Sequence, residues 1–356
     1  MDRSADTFVD LEMNNKIKGC KHLLLEIDKI VDWHRIREIL KPTDYRNNAR
    51  SGRDSFSPET MFRIMFIQEC QGLSDRQMEE QLHFNFLYLH FSKLSMTSPI
   101  PDHSTICRWR DRFIKYDVFE ALLNVINSRL EELGIGIRKG ANIDATFVSS
   151  VARPRRKEEI EVIPVEENKS SENEETQKTP TPVVKHTITE SHDPDATWGV
   201  KGGRGYFGYK EMIITNTEGF ISSVVSAPAN IHDLKMAKEC VHKAKLEEHY
   251  PICGDKAFES NDFLVFIREK NLIDMIMRKR KRNDVNDALR GRRNKLISSV
   301  RFVVERTFGY IKYRLGGSRS RYIGLIKTHN SFLMKAMIYN LTRLIHRPIE
   351  SYIQLT

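Results

Sequence analysis

The first third of the chain carries apolar residues at helical spacing, separated by short polar turns. The segment from Leu24 to Leu40 follows this spacing and stops before Pro42. Ser57-Pro58 then supplies an N-cap and a proline at the first helical position, and the helix that follows ends at Gly72. The pattern predicts an all-α domain over residues 1–135.

One of these predicted helices is rich in arginine. It begins after a cap formed by Asp102 to Thr105, and it presents apolar residues on one side and cations on the others. The inward residues are Ile106, Trp109 and Phe113, and the cations are Arg108, Arg110 and Arg112. Short helices joined by tight turns are typical of a helix-turn-helix DNA-binding domain. An ordinary helical bundle with solvated arginines is the alternative.

After Gly134 the helical spacing gives way to short apolar runs that predict strands. These strands are predicted over Gly140–Val148, Tyr206–Asn216, Phe220–Ala227, Tyr250–Gly254 and Leu272–Met277. Helices are predicted between them, over His232–Lys245 and Ser260–Lys270. A meander followed by alternating strands and helices is typical of an RNase H-like α/β domain with a mixed sheet, which we expect over residues 136–350.

An acidic segment interrupts this domain between its first and second strands. Glu158 to Lys178 contains eight Glu against two Lys and no aromatic residue, and it leads into Thr179-Pro180-Thr181-Pro182. Such a composition buries too little apolar area to offset the entropy of ordering the chain. We therefore expect a disordered insertion at about residues 154–186.

Composition excludes several classes of protein. Of the 356 residues, 40% are hydrophobic and 29% charged, and no apolar run approaches the ~18 residues that span a bilayer. No signal-peptide pattern precedes the first helix. The five cysteines are odd in number and form no Cys-x-x-Cys motif, which indicates reduced thiols and a cytoplasmic protein.

Positive charge is concentrated in one stretch of the chain. The net charge is +9, yet Arg278 to Arg321 alone holds fifteen Lys or Arg against three acidic residues. Because these cations flank the acidic residue Glu305, we interpret the stretch as a surface that contacts the phosphate backbone of a nucleic acid. A solvated charged face is the alternative.

Three carboxylates occur in contexts that favour a shared metal site. Asp144 closes the apolar stretch that starts at Ala141, Asp255 closes the one that starts at Tyr250, and Glu305 lies in an apolar helix among arginines. Oxygen ligands suit Mg²⁺, which also takes phosphate oxygens as ligands. Two such ions can stabilise both the attacking and the leaving oxygen of a phosphodiester. Taken alone, each carboxylate is better explained as a helix cap or an ion-pair partner.

Two cations lie on the same predicted helix face as Glu305. Arg301 precedes it by four residues and Lys312 follows it by seven, so both are predicted DNA-phosphate contacts unless they form only helix ion pairs. His232 and Asp233 begin another predicted helix. They are candidates for secondary polar groups of the site, and an N-cap is the alternative for Asp233.

From about Phe56 to about Ile345 the chain resembles the DDE transposases of bacterial insertion sequences. The segments that carry the resemblance are Leu73-Ser74-Asp75-Arg76-Gln77, Pro101-Asp102-His103-Ser104-Thr105, Asp144-Ala145-Thr146, Phe207-Gly208-Tyr209-Lys210, Ala229-Asn230-Ile231-His232-Asp233, Gly254-Asp255-Lys256-Ala257-Phe258, Arg301 to Lys312, and Tyr339-Asn340-Leu341. The family places its third carboxylate in a Tyr-x2-Arg-x3-Glu-x6-Lys pattern. Arg301, Glu305 and Lys312 match this pattern, whereas Ser298 stands at the tyrosine position.

The resemblance implies an RNase H-like catalytic domain in which Asp144, Asp255 and Glu305 are the catalytic, metal-binding residues. It implies two Mg²⁺ ions, with Mn²⁺ as a substitute, and double-stranded DNA partners, namely the terminal inverted repeats of the element and a target. The reaction would be cleavage at the element ends and strand transfer by a homodimer on chromosomal DNA in a bacterial cytoplasm. A metal-dependent nuclease that does not join strands, and a transposase-derived DNA-binding protein, are the alternatives.

Overall fold

The computed structural model describes residues 8–44, 55–154, 156–162, 182–188, 191–280 and 287–347. The helices within these residues are α1 (Phe8–Ile17), α2 (Leu23–Ile30), α3 (Trp33–Leu40), α4 (Pro58–Gln71), α5 (Asp75–Phe84), α6 (Phe86–Phe91), α7 (His103–Lys115), α8 (Val118–Glu132), α9 (Asp233–Ala244), α10 (Asn261–Glu269), α11 (Asp287–Arg314) and α12 (Leu325–Ile345). The strands are β1 (Ala141–Ser149), β2 (Arg156–Val162), β3 (Pro182–Ile188), β4 (Thr197–Lys201), β5 (Arg204–Thr215), β6 (Ile221–Pro228), β7 (Pro251–Gly254) and β8 (Ile273–Ile276). No helix of the described residues is long and apolar enough to cross a membrane.

Local caps set the limits of the N-terminal helices. Ser57 accepts a hydrogen bond from the Thr60 backbone at the start of α4, and Gly72 ends that helix at a φ of +70°. The apolar segment from Leu24 to Leu40 forms two helices and not the single one expected. The break occurs at Asp32, whose carboxylate accepts from two backbone N–H groups and starts α3.

The main sheet has the mixed topology expected of an RNase H-like domain. Its strand order is β4-β5-β1-β7-β8, and β6 also pairs with β5. Strand β5 is antiparallel to β1 and to β6, whereas β7 is parallel to β1 and β8 is parallel to β7. The predicted fold class, an all-α N-terminal region with a mixed α/β domain, is confirmed.

Each face of this sheet packs against its own helices. Alternate residues of β1 point to opposite faces. Ile143 and its neighbours on that face form an apolar cluster with α9 and α10, and the opposite face, which carries Asp144, packs against α11 and α12. The site residues of β1 and α11 therefore lie between this face of the sheet and the helix.

The apolar core crosses the predicted boundary at residue 135. Side chains of α2 to α8 join one cluster with side chains of β5, β6, α11 and α12. Asn340 of α12 links the N-terminal helices to the sheet, because its amide donates hydrogen bonds to Asn127 of α8 and to the Ile221 carbonyl of β6. The N-terminal helices therefore pack directly against the sheet domain.

The acidic insertion differs from the expectation of disorder at its two ends. Strands β2 and β3 form an antiparallel ladder of their own, from Arg156 opposite Ile188 to Val162 opposite Pro182. Both strands contain β-branched residues, which favour extended backbone. Most of the acidic residues fall in residues 163–181, which lie outside the described residues.

Candidate active site

The parallel pairing of β1 with β7 sets two of the predicted carboxylates side by side. Ala141 lies opposite Ile252, and Asn142 lies opposite Cys253. The same register, extended by two residues, places Asp144 beside Asp255, since paired strands lie about 5 Å apart. Asp144 lies inside β1 and not at its end, since the strand continues to Ser149, whereas Asp255 directly follows β7.

The Asp144 carboxyl lies in a largely desolvated position, and only 21% of the side chain is exposed. Burial raises the pKa of Asp144, and the negative charge of Asp255 raises it further. The Arg301 guanidinium, whose Nη2 lies 3.3 Å from Asp144 Oδ2, acts in the opposite direction. A cation bound between these two carboxylates would offset their mutual repulsion.

Helix α11 supplies the cations beside this pair. Arg301 is buried, and its Nε has no hydrogen-bond partner among the described residues. Lys312 is half-buried; burial lowers the pKa of its ammonium group, and the charge of Lys201 lowers it further, while Asp144 raises it. Arg301 and Lys312 therefore both act on Asp144, as their predicted common helix face requires.

Glu305 lies on α11 between these two cations and is exposed. Its spacing from Arg301 and Lys312 places it near the face of α11 that approaches Asp144. Within the described residues, however, no group of three or more His, Cys, Asp or Glu side chains is close enough to hold a metal ion. Two of the three predicted ligands are thus neighbours, whereas no described hydrogen bond or ion pair joins Glu305 to either of them.

The donor set fits a hard divalent cation. Asp144 Oδ1 accepts a hydrogen bond from the Ala145 backbone (2.8 Å), and Asp255 Oδ1 accepts one from the Ala257 backbone (2.7 Å). These bonds orient both carboxyl groups, as supporting contacts of metal ligands do. All the candidate ligand atoms are carboxylate oxygens, which Mg²⁺ prefers.

One further cation of the site was missed by sequence reasoning. Lys201 ends β4 at the turn of the β4–β5 hairpin, and its charge acts on both Asp144 and Lys312. The turn is formed by Gly202 and Gly203, which have φ values of +57° and +76°. In the sequence, the Gly-Gly pair after Lys201 could have indicated a hairpin turn. That this turn brings Lys201 to the site is evident only from the folded structure.

His232 and Asp233 make local contacts on the other face of the sheet. His232 accepts a hydrogen bond from the Leu234 backbone at the start of α9 (3.3 Å). Asp233 pairs with Lys210 (2.7 Å), which lies opposite Phe147 and so on the face away from Asp144. No described hydrogen bond or ion pair joins either residue to the three carboxylates.

The three arginines of α7 have different surroundings. Arg108 is exposed, and Arg112 lies 4.1 Å from the Trp109 ring. Both line a cleft of about 510 Å³. Arg110 is buried and paired with Asp75, and it also donates to Gln68. The expectation that Arg110 contacts DNA is therefore corrected, because its guanidinium is already used inside the protein.

Two models of known families match parts of the chain. Residues 11–112 match the family described as a transposase domain (DUF772), and residues 161–341 match the transposase DDE domain family. The second match covers just over half of the chain and includes Asp255 and Glu305, while Asp144 precedes it. No solved structure matches the chain. The chain belongs to the DDE transposases of insertion elements.

Proposed function

We propose that this transposase cleaves DNA at the ends of its own element and joins the resulting 3′-hydroxyl groups to target DNA. In this proposal Asp144, Asp255 and Glu305 hold two divalent metal ions, Mg²⁺ or Mn²⁺. The observation that carries the proposal is the paired position of Asp144 and Asp255, with Arg301 and Lys312 beside them.

The protein's own groups would prepare the site for a phosphodiester. When bound, the metal ions would supply charge stabilisation at the attacking and leaving oxygens. The Arg301 guanidinium lies beside Asp144 and would contact a phosphate oxygen there. Lys312 and Lys201 would add positive charge on the same side of the sheet. Together these cations would hold a scissile phosphate against the carboxylates.

DNA outside the cleavage site would be held by two other regions. We propose that Arg108 and Arg112 contact DNA from the cleft of α7, and that the exposed cations between Arg278 and Arg321 contact the phosphate backbone. Because one chain has one set of three carboxylates, two element ends require two chains. A homodimer assembled on DNA is the simplest symmetric arrangement.

The metal site is tested by Asp255→Asn. The variant should lose detectable cleavage of duplexes made from the genomic flanks of the coding sequence, while its melting temperature should stay the same. Asp262→Asn is the matched control, since Asp262 is an exposed residue whose only described ion pair is with Lys238. Cleavage by the wild type in excess chelator without added metal would refute the proposal.

The same assay separates the alternative functions. A nuclease would cut these duplexes without forming joined products, and a DNA-binding regulator would bind them without cutting. A linear duplex with a labelled 3′-hydroxyl end, incubated with a plasmid target, distinguishes the outcomes. Transfer of label to the plasmid supports transposition.

A further inference from the structure

A second charged cleft lies between α11, α12 and the turn that joins β5 to β6. Its volume is about 590 Å³, which is within the range of small-molecule sites. It is lined by Glu218, Phe220, Arg306, Tyr310, Arg314, Tyr339, Thr342, Arg343, His346 and Arg347. None of these residues belongs to the proposed catalytic site.

This cleft faces away from the carboxylates. On α11, Arg306 is five residues after Arg301, which corresponds to about 140° around the helix axis. Tyr310 and Arg314 follow Arg306 at intervals of four residues and share its face. The cleft therefore lies across α11 from the face that approaches Asp144.

The charges in the cleft are not balanced by the residues around it. Four arginines line it, against the single carboxylate of Glu218, which pairs with Arg347 (2.9 Å). Arg306 and Arg314 form no ion pair with any described residue. Like charges brought together in a cleft raise the local potential and attract an anion.

The walls of the cleft are firmly packed. Tyr339 is buried, and its hydroxyl lies 3.0 Å from Thr307 Oγ1. The ring of Tyr310 packs edge-on against Tyr339 with centroids 5.4 Å apart. Arg343 lies over the Phe220 ring, and its buried Nε has no partner among the described residues. The cleft thus combines a rigid aromatic wall with four arginine side chains.

We infer that this cleft binds the phosphate of a nucleotide, either within a DNA strand or in a free nucleotide. Guanidinium groups match phosphate oxygens with paired hydrogen bonds. A bound phosphate would offset the repulsion among the arginines. For a DNA strand, the inference rests on the proposed DNA contact of the Arg278 to Arg321 stretch, to which Arg306 and Arg314 belong. In either form it concerns binding alone and does not depend on catalysis at Asp144.

The test compares two charge-matched double variants. Arg306→Gln/Arg314→Gln removes two exposed cations from the cleft. Lys245→Gln/Lys270→Gln removes two exposed cations from the ends of α9 and α10, on the other side of the sheet. Binding of ATP is measured by calorimetry, and binding of a fluorescent 15-nucleotide oligothymidylate by anisotropy, both in excess chelator. Thermal melting verifies that both variants are folded.

We expect the cleft variant to bind ATP at least tenfold more weakly than wild type, and the control variant to stay within twofold. If oligothymidylate competes with ATP for wild type and loses affinity in parallel, the phosphate belongs to a DNA strand. If it does not compete, the ligand is a free nucleotide. The Asp255→Asn variant should bind ATP as wild type does, whatever the result for cleavage. Failure of wild type to bind ATP, or equal losses in both double variants, would overturn the inference.

Discussion

A buried ion pair joins the N-terminal helices to the sheet domain, and breaking it should lower the free energy of unfolding. Lys335 of α12 contacts Glu69 of α4, and both side chains are 6% exposed. Glu69 also receives Arg321 Nη2 at 2.7 Å and the Ser331 hydroxyl at 3.0 Å. These cations and hydrogen bonds hold the pKa of Glu69 at about 2 although burial acts to raise it. Lys335→Met would leave this carboxylate with one cation fewer.

The cost follows from the burial of the pair. Breaking a buried ion pair by removing one partner destabilises a protein by about 3–5 kcal/mol. Because Arg321 remains beside Glu69, we expect the lower end, about 3 kcal/mol. For a chain of 356 residues, that corresponds to a fall in melting temperature of about 4 °C. The double variant Glu69→Gln/Lys335→Met should be less destabilised than the sum of its parts, since no lone charge is buried.

Urea unfolding followed by circular dichroism measures the effect, with Lys327→Met as the control on the same helix. Lys327 pairs with Asp111 at 2.7 Å, but both are exposed, so its loss should cost less than about 1 kcal/mol. Since the pKa of Glu69 is lower in the folded chain, the stabilisation is present above about pH 4.5 and is lost as the pH falls towards 2. Equal destabilisation by the two lysine variants would refute the reasoning.

Three further predictions test other parts of the molecule. Arg110→Gln should lower the free energy of unfolding by about 2 kcal/mol, because it removes a buried guanidinium from its ion pair with the partly exposed Asp75 and its hydrogen bond to Gln68, whereas Arg108→Gln should change it by less than about 0.5 kcal/mol in the same urea assay. Burial raises the pKa of Glu211 to about 8, so the free energy of unfolding of the wild type should fall as the pH rises from about 4.5 to 8. In Glu211→Gln the difference between the urea midpoints at pH 5 and pH 8 should be smaller than in the wild type. Replacing residues 163–181 by Asn-Gly should leave the melting temperature within a few degrees, because among the described strands β2 and β3 pair with each other and with no other strand. A large fall in a thermal scan would contradict this.

Much of the local structure could be predicted from the chain because it depends on neighbouring residues. The caps at Ser57 and Asp102, and the stop at Gly72, need only side chains and backbone within one helical turn. The common helix face of Arg301 and Lys312 is likewise a matter of spacing. For the same reason, the sequence predicted the five main strands of the sheet domain, while the short edge strand β4, which carries Lys201, was missed.

The arrangement of the site residues depends on long-range contacts, which the spacing of residues along the chain does not predict. The register of β1 against β7 sets Asp144 beside Asp255, although 110 residues separate them in the chain. Arg108 and Arg110 look alike in the sequence, but among the ion pairs of the described residues Arg110 pairs with a carboxylate, on α5, and Arg108 does not. The amino-acid sequence by itself determined which residue types and local elements are available. Which cations are buried, paired or open to a phosphate was decided only by the tertiary structure, because burial and pairing depend on distant segments that fold against one another.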